Sequence, residues 1–208
     1  MSMCSCPAGA ALPAVPNASC PQNWGQTQKI IFQRIFKTAG TKNSFTQSAS
    51  IKQLSSWTAL FSADDGTKCV IPPYVEAPTA DGGDAITFGG GNDTVGGTTK
   101  VIGRNPVNMS FVMRQMTQDV IKALKGLQCE DELGVYLVNG DGQILAISSK
   151  DNEYTPIPIR SLFVSDLKLM GLDNPDENAL SFSFLPNWSD DAKVVTPDFN
   201  PLTDLVNQ

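Results

Sequence analysis

The sequence predicts a mainly β protein of the α+β type: an antiparallel β-sandwich or barrel with two flanking helices, a long glycine-rich hairpin and extended arms at both termini. Three observations predict this fold class. Short β-rich runs follow one another with turn residues between them, which is typical of antiparallel sheets. Only two stretches have helical periodicity. Apolar residues make up 41% of the 208-residue chain, enough for a core.

The first third of the chain predicts a strand, a helix and a bent strand. Gln28–Phe36 is rich in β-formers and partly alternating, so it is the first predicted strand. Residues 68–78 also read as a strand, but Pro72 and Pro73 would remove ladder donors and place it at an edge or a bend. Between them we expect a helix of about three turns, capped by Ser48 or Ser50. Its apolar stripe is Ile51, Leu54, Trp57 or Thr58, and Phe61.

Residues 86–102 predict a long hairpin with a glycine-rich tip, because β-formers lie on both sides of the glycines. Residues 91–98 have the spacing of a phosphate-binding loop. However, Gly97 stands where that motif needs lysine, and Asp93 would repel phosphate. The residues that follow are β-formers, so no helix N-terminus would point at the loop. The hairpin is therefore favoured over a nucleotide site or a flexible linker.

The remainder of the chain predicts a strand, a helix and four strands. Asn108–Met116 alternates like a half-buried strand. Residues 117–130 change to the helical period, with Thr117 as the cap. Residues 132–149 predict a hairpin around Asn139–Gly142, and 156–171 and 179–188 predict two further strands. The apolar stripe of the second helix is Val120, Ile121, Leu124 and Leu127. We expect an irregular arm at 1–27, one domain at 28–188 and a polar tail at 189–208.

The composition disfavours most catalytic and nucleic-acid-binding functions. The chain has no histidine, which is the commonest general base and metal ligand. Its net charge is −6, and residues after 80 hold nine Lys/Arg against eighteen Asp/Glu, whereas proteins that hold DNA need cations for the phosphates. We therefore expect no enzyme activity, catalytic residue, cofactor or metal. The cysteines lack zinc-site spacing and are expected to be reduced: Cys4, Cys6, Cys20, Cys69 and Cys129.

Several runs together resemble structural proteins of tailed bacteriophages and prophages of the Bacteroides group. The resemblance covers about residues 28–190. It lies in "QKIIFQRIF", "SSWTALFSADDGTKCVIPPYVEAPT", "FGGGNDTVGG", "MRQMTQDVIKALKGLQCEDELGVYLVNGDGQI" and "RSLFVSDLKLMGL". Among virion proteins, the size and order of elements are most similar to tail tube proteins. That family has a β-sandwich or barrel with a flanking helix and a hairpin that reaches the next subunit.

The resemblance implies a structural subunit of stacked, hexameric rings around a channel through which DNA passes without specific binding. The protein would then be a virion component assembled in the bacterial cytoplasm, with itself and other virion proteins as partners and no membrane. The flanking helix corresponds to Gln118–Cys129 and the hairpin to Ile86–Ile102. Possible channel-facing acids are Glu132, Asp141 and Asp166. The expected inter-subunit residues are Phe88, Gly89, Gly90, Gly91, Asn92, Asp93, Thr94, Val95, Gly96 and Gly97.

The N-terminal arm, with its cysteines and prolines, departs from the tail tube pattern. It leaves open another virion role, such as a connector, tail terminator or decoration protein. A carbohydrate-binding or adhesin module outside any virus is a further alternative. Such a module would need exposed aromatic rings and a secretion signal, and neither is evident in the sequence.

Overall fold

A computed structural model of the protein describes residues 11, 14–15, 24–47 and 49–206. Short 3-10 turns occur at Val95–Gly97 and Leu127–Cys129. The helices are α1 (Leu54–Phe61), α2 (Gln118–Gly126) and α3 (Pro201–Asp204). The strands are β1 (Thr27–Arg34), β2 (Phe36–Thr38), β3 (Thr41–Lys42), β4 (Cys69–Val70), β5 (Glu76–Gly82), β6 (Ala85–Gly89), β7 (Thr99–Arg104), β8 (Val107–Arg114), β9 (Leu133–Asn139), β10 (Ile144–Lys150), β11 (Glu153–Thr155), β12 (Ile157–Val164), β13 (Glu177–Phe184) and β14 (Ala192–Val195).

The fold is mainly antiparallel β, which confirms the predicted class. One ten-stranded sheet has the path β11-β10-β9-β12-β13-β8-β5. Strand β9 is its branch point: β1 pairs along its whole length, while β10 and β12 pair with different parts of it. β4 adds to β1, and β14 adds to β10. The predicted hairpin around Asn139–Gly142 is confirmed as β9–β10.

The sheet is sandwich-like with flanking helices and does not close into a barrel. The segment that leads into β5, at one end of the sheet, comes near β1, where the Val75 amide donates a 2.8 Å hydrogen bond to the Gln28 carbonyl. The chain leaves the β1–β4 ladder at Ile71 and enters β5 at Glu76. Pro72 and Pro73 lie between these strands, as expected for residues that cannot donate to a ladder.

Two apolar clusters lie on opposite faces of β1 and β9. Along β9, Val135 and Leu137 belong to one cluster, and Tyr136 and Val138 to the other. Successive side chains of a strand point to opposite faces, so both faces of β9 are covered. All seven β9 residues are buried. This strand is therefore the centre of the fold.

Helix α1 covers the second cluster and differs from its prediction in length and cap. It has eight residues and begins after Gln53, whose side chain makes no capping bond. Ser50 lies in the preceding turn, where its hydroxyl accepts a 3.2 Å bond from the Lys52 amide. Ser48 lies outside the described residues. The buried part of the stripe is confirmed, because Trp57 is fully buried and donates a 2.8 Å bond to the Ile51 carbonyl.

Helix α2 covers the first cluster, and with the 3-10 turn it spans Gln118–Cys129 as predicted. Thr117 occupies the N-cap position, but its side chain makes no capping bond. Leu124 is buried. The rest of the predicted stripe is partly buried against the same cluster: Val120, Ile121 and Leu127.

The segment from Ala192 to Leu205 belongs to the fold, which corrects the interpretation of residues 189–208 as a polar tail. β14 pairs with β10 from Ile144–Val195 to Ile147–Ala192. Leu205 is buried in the second cluster. The Asn200 side chain accepts a 3.0 Å bond from the Leu202 amide and so caps α3. Of the predicted N-terminal arm, the structure describes residues 11, 14–15 and 24–27.

Candidate assembly site

The glycine-rich hairpin is the outer half of a long two-stranded ribbon. β5 and β8 form its base within the main sheet, whereas β6 and β7 pair only with each other among the described strands. Two main-chain hydrogen bonds join the base of the ribbon to its outer half. The Gly83 amide donates to the Pro106 carbonyl (3.1 Å), and the Asn105 amide donates to the Asp84 carbonyl (2.9 Å). At about 3.3 Å per residue, β6 and β7 extend the ribbon by roughly 20 Å beyond the sheet.

The outer ribbon exposes apolar side chains on both faces. Paired residues share a face, so Phe88 lies beside Lys100, and Val101 lies beside Thr87 on the other face. Phe88 is 56% exposed and Val95 at the tip is fully exposed. Ile86, Val101 and Ile102 are also exposed. An isolated two-stranded hairpin is only marginally stable in water, so this ribbon has the properties of a segment that packs against a partner.

Thr94 organises the hairpin tip. Its hydroxyl accepts a 3.1 Å bond from the Gly90 amide and donates a 2.6 Å bond to the Thr98 carbonyl. The Gly97 amide donates a 2.9 Å bond to the Thr94 carbonyl. The glycines supply left-handed backbone for this closed turn, so their role in the tip is conformational. Positive φ occurs at Gly89, Gly90, Gly91, Gly96 and Gly97.

Two polar residue pairs, which form the polar strip, lie on the outward face of β8 and β13 beside the apolar pair of Val112 and Ala179. Ser181 pairs with Ser110 and Ser183 pairs with Asn108, and the Ser183 hydroxyl donates a 2.6 Å bond to Asn108 Oδ1. The phenylalanines that alternate with these serines point into the first cluster. This strip was not among the sites predicted from the sequence. Its signal is the alternation in "SFSF", where each serine faces away from the core.

Charges at the end of this strip balance one another. Arg114 Nε lies 2.9 Å from a carboxylate oxygen of Glu76, and its Nη1 lies 3.8 Å from one of Glu177. Lys168 also lies 3.0 Å from Glu177. The two acids and two bases have no net formal charge, so this end of the strip is locally neutral.

The structure does not bring the three proposed channel acids together. Glu132 precedes β9 and Asp141 follows it, and both are exposed. A seven-residue strand separates them, which is roughly 25 Å. Asp166 follows β12 and pairs with Lys125 of α2, and the hydrogen bond from Lys125 lowers the pKa of this carboxyl group. Whether any of the three faces a channel remains a prediction.

The candidate reactive groups among the described residues are two cysteine thiols. Burial raises the pKa of the Cys69 thiol, whereas Cys129 is exposed, and both are free thiols. Cys4, Cys6 and Cys20 lie outside the described residues. The described part of the chain contains no group of three or more Cys, Asp or Glu side chains placed to hold a metal ion. Within it, no helix has the length and apolarity needed to span a membrane.

Comparison with known proteins found no family model that matches this chain, and no curated protein that matches its sequence.

Proposed function

We propose that the protein is a structural subunit of a tailed bacteriophage or prophage that assembles with copies of itself into rings, and that stacked rings form the tail tube. The observation that carries this proposal is the projecting ribbon, with Phe88 and Val95 exposed at its outer end. Full burial of such a side chain contributes about 1.5–3 kcal/mol, so several of them provide a substantial driving force for association.

Rings or filaments form when the ribbon of one copy contacts a different surface of the next copy. The ribbon projects from one end of the sheet, so such a contact leaves the receiving surface of the first copy free for a further ribbon. Contact between two different patches is heterologous, and heterologous contacts generate closed rings or open filaments. The hexameric number and the stacking come from the resemblance to tail tube proteins.

The polar strip of β8 and β13 is a suitable wall for a DNA channel. Serine and asparagine side chains offer no fixed positive charge for phosphates, and the neighbouring ion pairs of Arg114 are balanced. The exposed Arg160 of β12, the register partner of Ser183, adds one cation beside the strip. DNA would pass such a wall without specific binding. On this proposal the protein resides in the virion, with other virion proteins as its further partners.

The test is the assembly state of two matched variants. Phe88 and Phe163 are each 56% exposed, but Phe88 lies on the ribbon and Phe163 pairs with Ser181 on the polar face. Phe88→Asp should block assembly, and Phe163→Asp should leave it intact. Light scattering after gel filtration gives the mass, and negative-stain electron microscopy shows rings or tubes.

Each outcome discriminates between roles. Tubes from the wild type and monomers from Phe88→Asp support the tail tube. Single rings that do not stack indicate a connector or terminator instead. A wild-type protein that remains monomeric at high concentration and is absent from purified virions by mass spectrometry contradicts the proposal. Equal loss of assembly in both variants contradicts the specific role of the ribbon.

A further inference from the structure

We propose that the hairpin tip of one copy docks in an apolar groove on a second copy, between helix α2 and residues 68–74. This inference rests on the proposed self-association and identifies the surface that receives the ribbon. Groove and tip are different surfaces of the same chain. The contact is therefore heterologous, with each copy both inserting a tip and receiving one.

The groove is large and mainly apolar. It encloses about 560 Å³, within the range of roughly 300–1,000 Å³ found for pockets that bind ligands. Val120, Ala123 and Leu127 form the wall from α2 and the turn after it. Ile71, Pro72 and Pro73 form the opposite wall, and Leu205 and Val206 close one end. These side chains leave an apolar surface that a partner's apolar side chain can cover.

Two lysines give the groove a positive character. Lys68 is exposed beside it, and Lys29 is almost fully buried in it. Burial lowers the pKa of the Lys29 ammonium, which lies 4.8 Å from the centre of the Tyr74 ring. Among the described residues that line the groove there is no carboxylate, but the nearby Asp204 partly offsets the charge of Lys29, so the positive charge open to a partner is mainly that of Lys68. A partner that combines apolar side chains with one negative charge therefore matches the groove in both respects.

The hairpin tip has this combination. Val95 is fully exposed at the end of the ribbon, and Asp93 is exposed two residues before it. Phe88 lies on the strand that leads into the tip. With Val95 against the α2 wall, the Asp93 carboxylate could meet Lys68 at the rim. The tip is also compact, because the Thr94 hydrogen bonds close it.

The groove and the tip of the same copy are held apart by the ribbon. Residues 71–74 lead directly into β5, so the groove lies at the base of the ribbon. From Tyr74 to Gly89 the chain runs fifteen residues through β5 and β6, which corresponds to as much as roughly 50 Å. The β5–β8 ladder and the two main-chain hydrogen bonds beyond it hold the ribbon extended, so the tip lies far from the groove of its own copy. A second copy is therefore the occupant.

A second apolar depression is a weaker acceptor. It encloses about 350 Å³ between α2 and the segment after β12, with Ile121 and Leu167 in its lining. Asp166 also lines it and already pairs with Lys125. Lys122 also lines this depression, so its smaller volume, and not its charge, makes it the weaker acceptor.

Cysteine cross-linking between two differently marked copies tests the contact. The background chain carries serine in place of Cys4, Cys6, Cys20 and Cys129, and alanine in place of Cys69, because this thiol also lines the groove. One preparation adds Val95→Cys, and the other adds Ala123→Cys in the groove. After mixing and mild oxidation, we expect a disulfide-linked dimer from the mixture and at most a trace from either preparation alone. The matched control replaces Ala123→Cys with Ser149→Cys, at an exposed position of β10 outside the groove.

The outcomes separate this inference from the proposed function. Assembly with at least tenfold more cross-linking at position 123 than at 149 supports both. Assembly with equal or absent cross-linking overturns the groove contact and leaves the proposed function standing. Cross-linked chains that form no rings support the groove and contradict the ring. Absence of both assembly and cross-linking overturns both.

A charge exchange tests the predicted pairing of Asp93 with Lys68. Asp93→Lys would place like charges at the rim of the groove and should weaken self-association about tenfold. Lys68→Asp in the same chain should restore most of that loss, and Lys193→Asp on β14 serves as the control. Weakening that is not restored by Lys68→Asp would overturn this orientation of the tip.

Discussion

The side-chain ammonium of Lys29 donates a 3.0 Å hydrogen bond to the main-chain carbonyl of Leu205, so it joins the first strand to the residue after the last helix. Both residues are buried. The bond fixes the end of the described chain against the sheet, where Leu205 closes the second apolar cluster. The C-terminal segment is thus held by an ionic hydrogen bond as well as by apolar packing.

Replacement of this lysine should loosen the C-terminal segment. A hydrogen bond to a charged group contributes about 1.5–3 kcal/mol, but Lys29→Met also removes the cost of burying an ammonium. We therefore expect a net loss of about 1 kcal/mol in the free energy of unfolding, measured with urea, together with faster amide exchange in residues 199–206. Lys42→Met, at an exposed position of β3, should change neither quantity. Equal behaviour of the two variants would contradict this role of Lys29.

Alanine at Gly89 should disrupt the hairpin tip. Gly89 has a φ of 92°, and an added Cβ would meet the Thr94 side chain and lie 2.9 Å from the Thr98 carbonyl oxygen. Gly91→Ala is the matched control, because it has positive φ but nothing within 4 Å of the added atom. We expect only Gly89→Ala to increase proteolytic cleavage between residues 88 and 99. Both variants should keep the thermal transition of the core, and indistinguishable cleavage would show that the tip tolerates the added methyl group.

Stability should fall in alkali because of Cys69 and Tyr136. Burial raises the pKa of Cys69 above its ordinary 9.0 and that of Tyr136 well above its ordinary 10.0. The unfolded chain releases these protons first, so the free energy of unfolding declines as pH rises past 9 and then 10. Each group contributes at most about 1.4 kcal/mol per pH unit.

Urea titrations between pH 7.5 and 10.5 measure this decline. Burial lowers the pKa of Lys29, so deprotonation of this lysine makes the free energy of unfolding rise with pH, opposite to the effect of Cys69 and Tyr136. Each variant is therefore compared with the wild type at the same pH. Cys69→Ala should flatten the slope between pH 9 and 10, and Cys129→Ala, at an exposed thiol, should not. A slope that Cys69→Ala leaves unchanged would contradict the assignment.

Duplex DNA should not bind measurably to the protein at about physiological salt. The chain has a net charge of −6, and the polar strip ends in balanced ion pairs. Fluorescence anisotropy of a labelled duplex measures binding. Glu76→Lys combined with Glu177→Lys makes the same face basic and should introduce binding that weakens steeply with salt. Tight binding by the wild type would contradict a channel wall that releases DNA.

Local signals in the sequence were sufficient to predict the hairpins and helix α2. The β9–β10 turn is specified by Asn139, whose side-chain oxygen accepts bonds from the amides of Asp141 and Gln143. The long hairpin was likewise predictable, because the residues that determine it are neighbours in the chain. The closed geometry of its tip was not predictable, because the hydrogen bonds of Thr94 are not evident from composition.

Non-local features could not be predicted. β14 has only four residues, and it becomes a strand because Ile144–Ile147, almost fifty residues earlier, offers an unpaired edge. The branch at β9 depends on β1, about a hundred residues away. To predict the polar strip, one would have to know which face of β13 points away from the core. To predict the groove, one would have to know how α2 and residues 68–74 are positioned, and these segments meet only in the folded chain.

The pairing of β1 with β9 also has a consequence for the order of events during synthesis. Residues 30–32, Ile-Ile-Phe, are translated about a hundred residues before β9. At roughly 5–20 residues per second, this apolar strand waits for about 5–20 s without its partner. An unpaired apolar edge is a site of aggregation, so the nascent chain is most vulnerable before residue 139 has left the ribosome. Expression at lower temperature or with a chaperone that binds short apolar segments should therefore raise the soluble yield.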